Sequence, residues 1–233
     1  QNNAGQLGDG TTTNRLTPVQ VSGLTGVAAV DAASFSAMAL KSDGTVWTWG
    51  SNAYGQLGDG TTTNRLTPVQ VRGLTGVVDI AAANRYSLAV KSDGTVWAWG
   101  QNTYGQLGDG TKIDRPTPGQ VGGLTGVVAI AAGNNHSLAL KSDGTVWTWG
   151  DNTYGQLSDV VAQNSTIPVQ VSGLTGVVAI AAGRNHSLAL QSPDAPSTVG
   201  ASPAAGATNV PTNTAISWVA VPFVNYDFQL SKD

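Results

Sequence analysis

Short apolar runs, each closed by glycine, recur along the chain at even intervals. Residues 91–100 read KSDGTVWAWG. After the Asp-Gly pair, Val96 and Ala98 fall on one side of an extended strand, and Trp97 and Trp99 on the other. The same stretch stands at 41–50 and 141–150, so the period is fifty residues. Three further runs fill each period, such as PVQV at 68–71, VVAIAAG at 127–133 and HSLAL at 136–140, separated by GLTG at 73–76 and by tight turns. This predicts four strands per unit. Their connections are too short for parallel crossovers, so the sheet is antiparallel. Each unit also carries two tryptophans on one face that it cannot cover alone. A fixed period of this size marks a solenoid, a propeller or an array whose neighbouring units supply the cover.

Counting the runs predicts fifteen strands in residues 1–190: four of the PVQV type, four of the VVAIAA type, four of the SLAL type and three Trp strands. The first copy, opening QNNAGQLGDGTT, has no Trp strand before it. In the last copy QSPDAPS at 191–197 replaces the Trp strand, and neither end of the chain is expected to supply it. Residues 191–200 read as a Pro-rich linker. Residues 201–233 change composition and hold two strand-like runs, 214–219 and 226–230. This segment resembles the opening of an immunoglobulin-like or fibronectin type III domain, with Trp218 entering the core. Such a sandwich needs about 100 residues, so only its start is expected here.

Composition narrows the function classes. Charged residues make up 11% of the 233 residues, the fourteen acidic ones are all Asp, and the net charge is −3. With Glu absent and Lys and Arg scarce, long helices are disfavoured, while Gly, Thr, Val and Asn suit turns and strands. No basic run favours nucleic acid, and no apolar run is long enough for a membrane helix. Cysteine is absent, which removes disulfides, thiol catalysis and cysteine-ligated metals.

The residues able to carry chemistry read as structural. His136 and His186 stand where other copies hold Tyr86 and Ser36, a swap that a catalytic histidine does not survive, so they read as turn-side groups. Asp9, Asp59 and Asp109 each give a loop one carboxylate, too few for calcium, and read as turn residues, as do Asp43, Asp93 and Asp143. The GQLGDG glycines lack the Lys-Ser/Thr and the helix of a phosphate loop. The pairs Trp47/Trp49, Trp97/Trp99 and Trp147/Trp149 read as packing between units. No catalytic set, metal site or cofactor is expected.

Positions that differ between copies are the candidates for recognition. The turn after the VVAIAA strand holds Ser34-Phe35, Asn84-Arg85, Asn134-Asn135 and Arg184-Asn185. In the long loops TKIDRP at 111–116, with Lys112 and Asp114, and SDVVAQNSTI at 158–167 depart from the shared TTTNRLT. Loops on a rigid repeat scaffold are where recognition concentrates.

The unit GTVWTWGxNxYGQLGDG…PVQVxGLTGVVAIAAGxxHSLAL resembles the repeat of the regulator-of-chromosome-condensation family over residues 1–190. The resemblance implies an all-β propeller, seven-bladed when complete, of which about four antiparallel blades are present. Seven such units would take about 350 residues, so the chain is expected to be an internal fragment. Members include a guanine-nucleotide exchange factor for a small GTPase, bacterial β-lactamase inhibitors and many bacterial surface proteins. In the exchange factors the turn above meets the GTPase and carries acidic or His residues. Here Phe35, Arg85, Asn135 and Asn185 take those places without a carboxylate. The expected function is non-catalytic binding of a protein or carbohydrate. Exchange activity and enzyme inhibition are the alternatives. The near-identical copies and the immunoglobulin-like tail imply a bacterial protein at the cell surface or outside the cell.

Overall fold

The structure is a computed structural model and describes residues 1–157, 163–192 and 216–219. Every element among them is a β-strand. Blade 1 holds β1 (Val27–Ala32), β2 (Ser36–Lys41), β3 (Val46–Gly50) and β4 (Arg65–Gln70). Blade 2 holds β5 (Val77–Ala82), β6 (Tyr86–Lys91), β7 (Val96–Gly100) and β8 (Arg115–Gln120). Blade 3 holds β9 (Val127–Ala132), β10 (His136–Lys141), β11 (Val146–Gly150) and β12 (Ser165–Gln170). Blade 4 holds β13 (Val177–Ala182), β14 (Ser187–Gln191) and β15 (Ile216–Val219). Each sheet is an antiparallel meander in chain order. The resulting arc of four blades is a partial propeller.

The Asp-Gly hairpins set the register of each meander. Leu40 pairs with Val46 and Ala37 with Trp49, and the pattern returns fifty residues later as Val90 with Val96 and Ser87 with Trp99. Period-2 alternation then gives each sheet two apolar faces, and in blades 2 and 3 both are covered by neighbours. Leu88, Val90, Val96 and Ala98 of blade 2 face forward onto Val127, Ile130, Ala139 and Trp149 of blade 3. Met38, Leu40 and Val46 of blade 1 pack in the same way against Val77, Ile80 and Trp99 of blade 2. The core is thus a series of slabs between blades. Trp99 and Trp149 are buried in it and Trp49 is buried against the loop of residues 6–8, while Trp47, Trp97 and Trp147 lie further out under Lys41, Lys91 and Lys141, whose ammonium groups stand 5.7–5.8 Å from the indole centres.

Two strand assignments differ from the sequence reading. The first PVQV run, residues 18–21, forms no strand, because this chain places no Trp strand beside it. The expectation that neither end fills the gap in the last blade is also corrected. β15 pairs with β14, setting Val219 opposite Ser187 and Ile216 opposite Leu190, where a Trp strand stands in the other blades. β15 falls within the expected run 214–219. The side chain of Trp218, the second run at 226–230 and most of the linker lie outside the described residues.

Candidate functional site

Strand direction sorts the connections between the two ends of the arc. The β2–β3 hairpins and the GLTG turns share one end, where Ser92 N donates to Gly76 O (2.8 Å) and Val77 N to Gly44 O (3.1 Å). The turns at 33–35, 83–85, 133–135 and 183–185 share the other end with the long loops at 51–64 and 101–114 and with the described parts of the third, 151–157 and 163–164. The guanidinium of Arg85 stands 5.0 Å from the ring centre of Tyr54 there, tying a turn to a loop.

At this end the four turns converge on a cleft of about 490 Å³ at the inner edge of the blades, lined by Ser34, Asn84, Asn134 and Arg184 with the Ala and Gly residues beside them. The inner strands close around it through polar ties. Asp31 Oδ2 accepts from Ala82 N (2.7 Å), and Asp79 Oδ2 accepts from Ile130 N (3.1 Å). Burial raises the Asp79 carboxyl above its usual range. Asn134 N donates to Arg184 O (3.1 Å) at the rim.

Beneath the turns, the residue that opens the second strand reaches toward the next blade. The Tyr86 hydroxyl donates to His136 O and receives Ser137 Oγ (3.1 Å). Burial pushes this phenol well above an ordinary tyrosine. His136 is fully buried, and desolvation drives its imidazole down to about 4, with Asp151 opposing the shift. Each ring is therefore neutral and packed.

Each long loop is wound around one asparagine. Asn52 is fully buried. Its Nδ2 donates to Thr61 O (3.0 Å) and Thr63 O (3.1 Å), and its Oδ1 accepts from Leu57 N (2.9 Å). Asp59 accepts from Thr61 N (2.9 Å) and holds Arg65 at 2.6 Å. The loop is then clamped by the following blade, since Gln56 O accepts from both Trp99 Nε1 (2.9 Å) and Ser87 Oγ (2.9 Å). Gln106 O accepts from Trp149 and Ser137 in the same way, at 2.8 and 2.9 Å.

The candidate recognition residues therefore divide. Phe35, Asn84, Arg85, Asn134, Asn135, Arg184 and Asn185 sit in the four convergent turns. Lys112 and Asp114 lie on the loop at 101–114, which reaches the outer strand of the next blade through Gly110 N and Thr166 O (2.9 Å). Lys112 is exposed. Asp114 Oδ1 accepts from Asn102 N (2.7 Å), the place that Asn64 takes in the preceding loop. Among the described residues no three His, Cys, Asp or Glu side chains are grouped to hold a metal, and no helix is long and apolar enough to cross a membrane.

A family model described as RCC1-like domain matches residues 1–205. The chain belongs to the RCC1-like domain family. No curated protein matches it. Among solved structures, human WBSCR16 is 24% identical at a TM-score of 0.67, covering 82% of this chain and 53% of its own. Prp20p from Saccharomyces cerevisiae, in a structure described with its binding properties to Gsp1p and histones, is 25% identical at 0.65, covering 76% and 46%. Yeast RCC1 (Prp20), in a structure with Kap60 bound, is 25% identical at 0.62, covering 71% and 41%. The chain thus spans about half the length of the solved RCC1-like chains it matches.

Two features of this RCC1-like arc escaped the sequence reading. That turns and long loops share one end follows from counting strand reversals, so the signal was present. The hub asparagines Asn2, Asn52, Asn102 and Asn152 were signalled by their constancy in all four copies.

Proposed function

We propose that this chain is part of a non-catalytic binding propeller that takes a protein partner on the end formed by the four turns and the long loops. The observation that carries this reading is where the copies differ. The hubs, clamps and tryptophans recur almost unchanged, while the four cleft-lining positions hold three residue types, Ser34, Asn84 and Asn134, and Arg184, and the positions beside them hold Phe35, Arg85, Asn135 and Asn185. A scaffold that holds its frame constant and varies its central rim presents one composite surface rather than four equal ones. A protein partner is favoured by the RCC1-like neighbours, whose structures are described with Kap60, Gsp1p and histones. Arg85 and Arg184 are exposed at this end, which suits an acidic partner. The test places a photo-crosslinker at Asn134 and, on the opposite end, at Ser142. Labelling of one partner from Asn134 and none from Ser142 is expected, and equal labelling from both ends would sink the reading.

A second reading, nucleotide exchange on a small GTPase, is favoured by the likeness to Prp20p. Against it, Phe35, Arg85, Asn135 and Asn185 offer no carboxylate in the turns. A nucleotide-release assay with a panel of small GTPases separates the two, and no acceleration is expected.

A further inference from the structure

Most basic side chains of the arc are answered by an aspartate. Arg15, Arg65 and Arg115 pair with Asp9, Asp59 and Asp109 in the long loops, and Lys41, Lys91 and Lys141 with Asp43, Asp93 and Asp143 in the hairpins. Among the described residues Arg72, Arg85, Lys112 and Arg184 have no such partner. Arg85 differs from the other three because its guanidinium lies over an aromatic ring, that of Tyr54.

Both members of that pair are fixed to blade 2. Arg85 O accepts from Gln101 N (2.9 Å), just past the end of β7. Tyr54 N donates to Gln56 Oε1 (3.0 Å), and the carbonyl of Gln56 is held by Ser87 and Trp99. Blade 2 packs between blades 1 and 3, so the pair sits on a scaffold covered from both sides. The mount is constant along the chain. Tyr104 N donates in the same way to Gln106 Oε1 (2.9 Å), and the repeat sets Asn135 beside Tyr104 and Asn185 beside Tyr154. Only blade 2 places a cation there.

No aspartate of this end is free to answer Arg85 among the described residues. Asp59 and Asp109 hold their own arginines. Asp114 accepts from Asn102 N, and the buried Asp151 accepts from Thr153 N (3.0 Å) and Thr153 Oγ1 (2.6 Å). The nearest cleft-lining side chains in sequence and repeat position, Ser34, Asn84 and Asn134, are neutral. A guanidinium presents a planar fork of N–H donors that matches a carboxylate. A ring that already restrains it lowers the ordering cost when the carboxylate arrives. A phosphate brings nearly two negative charges and is met by clusters of arginine, whereas Arg85 stands among amides.

We propose that Arg85, positioned by Tyr54, decides which partner this surface takes, and that it takes a carboxylate of an acidic protein segment at the rim of the cleft. This rests on the reading that a protein partner binds this end.

The test selects random peptides displayed on phage against the whole chain. Enrichment of Asp and Glu is expected, and an Arg85→Glu chain should enrich Lys and Arg instead. A synthetic copy of an enriched peptide should lose at least about tenfold in affinity with Arg85→Ala. It should keep its affinity with Arg72→Ala, which removes an exposed arginine beside the GLTG turn at the opposite end. Tyr54→Phe should retain binding and Tyr54→Ala should weaken it severalfold, with urea midpoints showing that each variant is folded. Replacing the acidic residue of the peptide by phosphoserine should bring no gain. The proposal is overturned if no peptide is enriched, if the enriched peptides lack acidic residues or ignore Arg85→Ala, if Tyr54→Phe costs as much as Tyr54→Ala, or if phosphoserine binds more tightly. Those results leave the reading of a partner on this end in place, which falls separately if crosslinkers at Asn134 and Ser142 label equally.

Discussion

The imidazole of His136 packs against the α-carbon of Gly133, so that a Cβ there would stand 2.1 Å from Cε1. Gly183 and His186 repeat the relationship at the same distance. In the other two copies the glycine is alanine, Ala33 or Ala83, and the histidine is replaced by Ser36 or Tyr86. Glycine and histidine therefore go together.

Gly133→Ala should destabilise the chain by about 1–3 kcal/mol through overpacking. Adding His136→Tyr, which restores the pairing of Ala83 with Tyr86, should return most of the loss. Urea midpoints for the two single variants and the double variant would show this coupling. Simple additivity would contradict the steric account.

Two glycines with nearly the same backbone separate strain from collision. Gly123 has φ +72° and nothing within 4 Å of a Cβ, while Gly108 has φ +66° and would set one 2.8 Å from Trp149 Nε1. Gly123→Ala should cost about 1–2 kcal/mol, the price of a left-handed residue with a side chain. Gly108→Ala should cost about 1–3 kcal/mol more, because the indole has no room to retreat. Thermal or urea unfolding of both variants checks the difference.

The two tryptophans of a strand should be unequal. Trp149 is fully buried and donates to Gln106 O (2.8 Å), so Trp149→Ala should cost about 3–5 kcal/mol. Trp147 is half-buried and donates to Thr145 Oγ1 (3.3 Å) in the hairpin just before its strand. Its replacement by alanine should cost clearly less in the same unfolding measurement.

Acid should weaken the joint between blades 3 and 4. Burial holds the His136 imidazole down to about 4 in the folded chain, against about 6.5 in an unfolded one. Between those values the unfolded state binds the extra proton. The stability contributed by the neutral ring is therefore complete above pH 6.5 and lost progressively as pH falls toward 4. The loss is on the order of 3 kcal/mol. His136→Tyr should flatten this part of the stability profile, measured by urea unfolding between pH 7.5 and 4.5.

The architecture was legible because a fifty-residue period, an Asp-Gly hairpin and Trp-x-Trp alternation all specify the same four-strand unit. The strand at 18–21 was misread because strand sequence is only half of a strand: PVQV at 68–71 has β3 beside it, and the identical run at 18–21 has no such neighbour. β15 was misplaced for the converse reason. Nothing in ISWV says which edge it will meet, since pairing is set by an open neighbour rather than by the run itself. In the candidate site, Arg85 and Arg184 were found because they vary between copies. Asp114 varies as well, yet its carboxylate serves the loop's own backbone, and only the contact with Asn102 N reveals that.

The shared carbonyl of Gln106, gripped by Trp149 and Ser137 of the following repeat, has an evolutionary corollary. The carbonyl of Gln56 is gripped by the same pair of positions, Trp99 and Ser87, one unit earlier. Unequal crossing-over between two copies therefore leaves all surviving grips intact. Whole units can be gained or shed in a single genetic event, and the protein need never pass through an intermediate with a mismatched seam.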